Sequence, residues 1–421
     1  MIVALVDGNN FFVSCERVFN PQLAGRPVVV LSNNDGCAIA RSNEVKTLGV
    51  KMGTPWFQMR DLARQHGIVA LSSNYELYAD MSNRMMAVLG KFAPEQEIYS
   101  IDECFLGLDG FAHEDLHEYG RAIRRRVGQW IGIPVCVGIA ATKTLAKLAN
   151  HCAKKNLAGS DGVCDFIRMP EAELSMLFST IGAGEIWGVG PRLSTQLADL
   201  GITNVETLRR ADAPTLRQRF SVLLERTIRE LNGSACIALE EAAPTKQQII
   251  SSRSFGSYVH DLPSLREAVA SYIAIAAAKL RSQGSLAGMV QVYIRTNPHK
   301  ENAPQYQRGL TVPLPEATDD TLRLTQAALR ALERIYRSGY AYQKAGVALL
   351  NLSTAATAQA SLFATAPDHK RLMQTMDRIN AIWGRGTLRS AAEGFEKHWR
   401  MKRERVTPGY TTCWNQLPSV S

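Results

Sequence analysis

At 421 residues, 46% hydrophobic and 21% charged, the chain reads as a soluble globular protein of two to four domains, neither disordered nor membrane-spanning. Its longest apolar stretches, such as residues 27–31 and 272–278, are too short for a spanning helix. The N-terminal Met-Ile-Val-Ala-Leu-Val-Asp lacks the basic region and cleavage site of a signal peptide, so the expected compartment is the cytoplasm, with no membrane partner. A net charge of +9 permits a polyanionic partner without demanding one, and the eight cysteines, with no C-x-x-C pair among them, read as reduced thiols.

Residues 2–7 are a nearly continuous apolar run ending in Asp7, the pattern of a buried strand that delivers an acid to its C-terminal edge. A second strand pattern, 97–106, sets Ile98, Ile101, Phe105 and Leu106 around Asp102 and Glu103. Between them lie the apolar residues 28–31, a polar loop at 32–36 and helical material from Ala40. Amphipathic helices at 115–130 and 142–155 flank a strand at 134–139, which makes an α/β domain of roughly residues 1–168. From about 170 to 240 the pattern is helical with glycine punctuation, and 242–246 reads as a linker. Beyond it come a strand at 248–254, a helix at 263–283, strands at 288–296 and 308–314, a helix at 319–338 and a strand at 345–350. That is β-α-β-β-α-β, a ferredoxin-like α+β arrangement. In the strand 288–296, Val290, Val292 and Ile294 alternate with Gln291, Tyr293 and Arg295, predicting one helix-covered face and one polar, partly basic face. Residues 356–370 read as a tether. The basic run 397–405 suits either a DNA contact or an ordinary solvated or docking helix.

Nucleotidyl transfer must activate an oxygen nucleophile, neutralise a triphosphate and stabilise pyrophosphate, tasks met by two magnesium ions held on converging carboxylates. Asp7 at one strand end, with Asp102 and Glu103 on a neighbouring strand, has the required pattern, although acids at strand ends also cap turns. The stretch His113-Glu-Asp-Leu-His117 matches the zinc-protease signature H-E-x-x-H, but it enters a helix between acidic neighbours and reads as two solvated histidines.

The stretches Asp7-Gly-Asn-Asn-Phe-Phe-Val-Ser-Cys-Glu and Ser100-Ile-Asp-Glu-Cys-Phe resemble the two catalytic motifs of Y-family translesion DNA polymerases. Ser32-Asn-Asn-Asp-Gly-Cys, Ser72-Ser-Asn-Tyr-Glu-Leu-Tyr-Ala-Asp-Met-Ser-Asn-Arg and Thr142-Lys-Thr-Leu-Ala-Lys-Leu-Ala-Asn-His are similar to the UmuC-like catalytic subunits of bacterial DNA polymerase V. The similarity continues through Ala243-Pro-Thr-Lys-Gln, Ser252-Arg-Ser-Phe-Gly and Tyr342-Gln-Lys-Ala-Gly-Val, and so covers essentially the whole chain.

The resemblance implies a right-hand polymerase: palm at 1–12 and 75–168, small fingers at 13–74, thumb at 169–241, little finger at 247–353, and a clamp- and partner-binding tail at 354–421. It makes Asp7, Asp102 and Glu103 catalytic metal ligands, joined by the carbonyl of Gly8, for two Mg2+ ions. Phe12, where UmuC-like chains have tyrosine, becomes a steric gate against a ribose hydroxyl. Phe11 is as much a core aromatic as a ligand contact. Lys46 and Lys154 fall where the family places cations on the triphosphate, and Asn43 stands where many members have a tyrosine; each lysine alone would read as a solvated helix face. Ile186-Trp-Gly-Val-Gly-Pro-Arg followed by Leu200-Gly-Ile resembles a helix–hairpin–helix, so Gly188, Gly190 and Arg192 are candidate DNA contacts, with a plain glycine turn as the alternative. Arg253 and Arg295 are further DNA candidates. Gln359-Ala-Ser-Leu-Phe363 resembles a sliding-clamp peptide, with Gln359, Leu362 and Phe363 as anchors and Ala360 in place of the usual leucine. Implied partners are primer-template DNA, dNTP, the clamp, a cleaved UmuD-like homodimer and a RecA filament, in a nucleoid-associated, error-prone repair role. The alternatives are another two-metal enzyme on a palm-like sheet, such as a cyclase, and a catalytically silent DNA-binding scaffold.

Overall fold

The structure is a computed structural model describing residues 1–242, 244–300, 302–355 and 369–417. The chain divides into two compact units, one of residues 1–32, 36–243 and 405–421, the other of 33–35 and 244–404.

The first unit is built on a five-stranded sheet in the order Glu95–Ile98, Glu103–Gly107, Val3–Gly8, Val135–Ala140, Val163–Asp165. The strand Val3–Gly8 is central and buried throughout, as its unbroken apolar run predicts. Its alternate residues feed different cores. Ala4 and Val6, with Cys104 and Leu106, pack among residues of the helices Tyr75–Leu89 and Leu116–Ile131. Val3 and Leu5, with Phe105, pack on the helix Lys143–Lys155 and on the helical segment after residue 170. The single predicted strand 97–106 is in fact two antiparallel strands, Glu95–Ile98 and Glu103–Gly107. The turn between them is made by the Ser100 hydroxyl, which accepts from the backbone N–H of Asp102 (3.3 Å) and of Glu103 (3.0 Å). A second, three-stranded sheet, Ala38–Arg41, Val28–Leu31 and Val69–Ser72, carries residues 38–41 beside the first helix, Phe11–Phe19.

Two buried polar joints meet at the start of the helix Lys143–Lys155, one to the helical segment through Thr144 and one to the sheet through Lys143. Glu230, fully buried, accepts from the N–H groups of Thr144, Cys236 and Ile237. Lys143 and Glu97 form a buried ion pair at 2.6 Å. At Gly138 the helix Lys143–Lys155 lies against bare backbone, since a Cβ there would sit 2.1 Å from the Asn150 nitrogen and 2.4 Å from the Ala146 oxygen.

The second unit follows the predicted element order: Ile249–Val259, helix Leu262–Ser282, Ser285–Thr296, Gln307–Thr318, helix Thr321–Ile335, Tyr342–Thr354. Its sheet, wholly antiparallel, places Ser285–Thr296 and Tyr342–Thr354 in the centre and Ile249–Val259 and Gln307–Thr318 at the edges. Val290, Val292 and Ile294 are fully buried under the helices, and Gln291, Tyr293 and Arg295 occupy the other face. A bulge at Gly288 and Met289 interrupts the alternation.

Residues 369–404 complete this unit. The helix Lys370–Trp383 is fastened by a two-toothed ion pair of Arg281 with Asp377 (2.6 and 2.8 Å). Trp399 enters the core edge-on to Phe255 and Tyr272. The basic run 397–405 is irregular chain rather than helix, and Lys397 reaches inward to the Ser271 hydroxyl at 2.8 Å. The proposed clamp residues Gln359, Leu362 and Phe363 lie outside the described residues.

Candidate active site

Strand register puts Asp7 directly opposite Glu103, and the Gly8 N–H donates to the Asp102 carbonyl at 2.8 Å, so the three acids share one end of the sheet. Asp7 is 6% exposed. Burial pushes its carboxyl up to about 7, Lys154 pulls the other way, and the charges of Glu103 and Asp102 add to the rise. Asp7 pairs with Lys154 at 2.5 Å, Glu103 with Lys147 at 3.0 Å, and Asp102 accepts from the Ser100 hydroxyl at 2.6 Å. Each acid therefore faces a cation or donor, and among the described residues no three His, Cys, Asp or Glu side chains form a ready ion cage. The donor set nonetheless suits a hard divalent ion. Three carboxylates at one end of the sheet, one of them pushed up by desolvation and by its neighbours' charge, are what such an ion relieves.

Asp7, Gly8, Phe11, Phe12, Lys46, Asp102 and Lys154 line one cleft of about 220 Å³, together with Asn10 and Arg41. Glu103 does not line it; its carboxylate turns to Lys147. Lys46 donates to Asn10 Oδ1 (2.6 Å), and Asn10 Nδ2 donates to Asn43 Oδ1 (3.0 Å), so Asn43 supports the cleft through Asn10. Burial and the nearby charges of Arg41, Lys154 and Lys155 hold the Lys46 ammonium below its usual range, the mark of a pocket of crowded positive charge. Phe11 is buried, and Phe12 is half-buried with its ring stacked on Tyr78 at 4.5 Å.

Sequence reasoning missed Arg41 and Lys147. The signal for Lys147 was its spacing: Lys143, Lys147, Asn150 and Lys154 fall on one face of one helix. That face meets Glu97, Glu103, the carbonyls of Leu5 and Cys136, and Asp7 in turn.

The remaining candidates lie elsewhere. Gly188 has φ +89°, and Gly190 precedes the helix Pro191–Ala198, on which Arg192 is exposed. In the second unit, Arg295 pairs with Lys344 on the open face of the sheet. Arg253 pairs with the core residue Ala345 and so falls on the helix-covered side, exposed at the sheet edge. The two arginines do not share a surface. His117 faces Asp161 at 2.8 Å and His113 faces Glu114 at 3.4 Å, so each ring lies against a carboxylate.

Residues 6–151 match the impB/mucB/samB family, residues 246–362 its C-terminal domain, and residues 370–420 a domain of unknown function, DUF4113. The chain is 46% identical over 421 residues to the protein UmuC of Salmonella typhimurium, covering 99% of both chains. It is 43% identical over 420 residues to MucB of Escherichia coli (99% and 98%), and 27% identical over 405 residues to DNA polymerase IV of Moorella thermoacetica (92% and 95%). Its fold is similar to that of the Y-family DNA polymerase chimera Dbh-Dpo4(243-245)-Dbh, with a TM-score of 0.64 at 22% identity, over 84% of this chain and 100% of that one. The chain belongs to the impB/mucB/samB family and is a UmuC-like Y-family DNA polymerase.

Proposed function

We propose that this chain performs template-directed, error-prone translesion synthesis, joining a dNTP to a DNA primer 3′-OH with release of pyrophosphate. The observation that carries the reading is the cleft in which Asp7 and Asp102 face Arg41, Lys46 and Lys154. The cations bind the triphosphate and Asn10 orients Lys46 among them. Phe12 closes the sugar side, where a ring against C2′ leaves no room for a hydroxyl. Asp7, the Gly8 carbonyl, Asp102 and Glu103 would hold divalent metal, and two Mg2+ ions, when bound, would supply charge neutralisation for nucleotidyl transfer. Lys154 and Lys147 keep the acids neutralised until then.

The domain assignment follows: palm at 1–12 and 75–168, fingers 13–74, thumb 169–241, little finger 247–353, tail from 354. Gly188, Gly190, Arg192, Arg253 and Arg295 are assigned to DNA, and Gln359, Leu362 and Phe363 to a sliding clamp on sequence grounds. Likeness to UmuC supports a UmuD-like dimer and a RecA filament as partners and a cytoplasmic, nucleoid-associated setting.

Primer extension across an abasic site with Mg2+ and dNTPs, supplied with those partners, is the test, with Asp102→Ala as control. Extension by the wild-type chain and not by the Asp102→Ala variant supports the proposal. Equal activity removes Asp102 from the metal set, and intact DNA binding with no extension by either chain favours the scaffold.

A further inference from the structure

The segment matching the domain of unknown function ends in a short strap, residues 405–417, that belongs to the first unit. Ser72 and Arg405 exchange two hydrogen bonds, the Ser72 N–H donating to the Arg405 carbonyl (3.0 Å) and the Arg405 N–H to the Ser72 hydroxyl (2.9 Å). Asn74, the N-cap of the helix Tyr75–Leu89, donates its amide to the carbonyls of Thr407 and Pro408 and to the Thr407 hydroxyl, at 3.1–3.2 Å. Tyr410 stacks face to face on Phe19, the last residue of the helix Phe11–Phe19 (4.7 Å, 7°). The strap thus grips the helix that carries Phe12 at one end and the helix that carries Tyr78 at the other.

A chain of contacts, buried at Glu16 and Tyr78, runs between the strap and the cleft. The Thr407 hydroxyl donates to Glu16 Oε1 at 3.2 Å, and the Tyr78 hydroxyl donates to the same oxygen at 2.6 Å. Glu16 is 1% exposed, both hydroxyls reach its Oε1, and its other oxygen, Oε2, has no partner among the described residues. The Tyr78 ring so held is the surface on which Phe12 stacks, 4.5 Å away and 16° from parallel. Hydrogen bonds to a buried carboxyl add direction to the packing that holds a ring.

We propose that the strap is a positioning element for sugar selection. Thr407 and Tyr78, meeting at Glu16, hold the ring behind Phe12 and so set how closely Phe12 approaches C2′ of the incoming nucleotide. This rests on Phe12 being the gate, and it gives the end of the domain of unknown function a role in substrate choice.

The test is single-nucleotide insertion by the full chain, with the partners that support its primer extension, comparing kcat/KM for dNTP and for the matching rNTP. Thr407→Val and Tyr78→Phe each remove one hydroxyl and keep the shape, Thr407→Ser restores the donor, and Phe12→Ala removes the gate. Discrimination against rNTP is expected to fall roughly five- to tenfold in Thr407→Val and Tyr78→Phe, the size of one ordinary lost hydrogen bond. The loss is expected mainly in KM for the rNTP, with recovery in Thr407→Ser. Unchanged discrimination in both hydroxyl variants, with loss in Phe12→Ala, overturns the proposal. Unchanged discrimination in Phe12→Ala overturns the gate itself. Melting curves identify a misfolded variant, and because the two hydroxyls approach Glu16 from different segments, either one decides alone.

Discussion

Lys143 and Glu97 join the helix that bears Lys147 and Lys154 to the strand leading into the Asp102 turn, and both side chains are buried, 3% and 9% exposed. Lys143 meets both carboxylate oxygens, at 2.8 and 2.6 Å, and Glu97 also accepts from the Glu240 N–H at 2.8 Å. Lys143→Met leaves a buried carboxylate with one backbone donor, a change that costs about 3–5 kcal/mol. At about 2–4 °C per kcal/mol for a unit of this size, the transition of the first unit drops by roughly 6–20 °C. The double variant Lys143→Met with Glu97→Gln removes both charges, keeps an acceptor for Glu240, and is expected to regain most of that loss. Thermal melting followed by circular dichroism, with hydrogen exchange of the strand Val3–Gly8 as a local report, measures it. A single-variant loss under about 1 kcal/mol, the level of an exposed pair, refutes the argument. So does a double variant no better than the single.

Arg41→Met is expected to raise KM for dNTP roughly tenfold with a smaller effect on kcat, as for a lost charge-assisted contact to phosphate; an unchanged KM removes Arg41 from the site. Burial holds the Glu16 carboxyl above the usual carboxylate range although Tyr78 and Thr407 pull it down. A carboxyl raised in the native state adds stability that is present below its unfolded-state pKa and lost as pH rises through the native value. Wild type should therefore gain on Glu16→Gln as pH falls from neutral, and parallel melting profiles against pH count against this. At Gly256 a Cβ would lie 2.1 Å from the Arg400 oxygen, so Gly256→Ala is expected to cost about 1–3 kcal/mol and shift Trp399 fluorescence to the red; an unshifted spectrum refutes it.

Elements governed by local pattern were readable: the buried run into Asp7, the amphipathic helix Lys143–Lys155 and the alternation of Val290, Val292 and Ile294 each follow from neighbours in sequence. The merged strand 97–106 was misread because its turn depends on one serine hydroxyl rather than on glycine or proline. The central placement of Tyr342–Thr354 and the facing of Arg253 are settled by pairings between distant strands, to which periodicity is blind. Residues 384–417 contain no α-helix or strand, so nothing in their pattern announces that Trp399 fills a core or that Thr407 reaches Glu16. Arg41 sits on a strand of the smaller sheet, and only the fold brings it beside Lys46 and Lys154.

Gly138 touches neither acid nor cation, yet the missing side chain there sets the spacing between the helix Lys143–Lys155 and the strand beneath it. Lys143, Lys147 and Lys154 ride on that helix as one rigid part, so a single methyl at residue 138 would lift all three from their carboxylates together. The calibration of the charge row is thus stored at a position without functional groups, where a catalogue of reactive side chains would register no change.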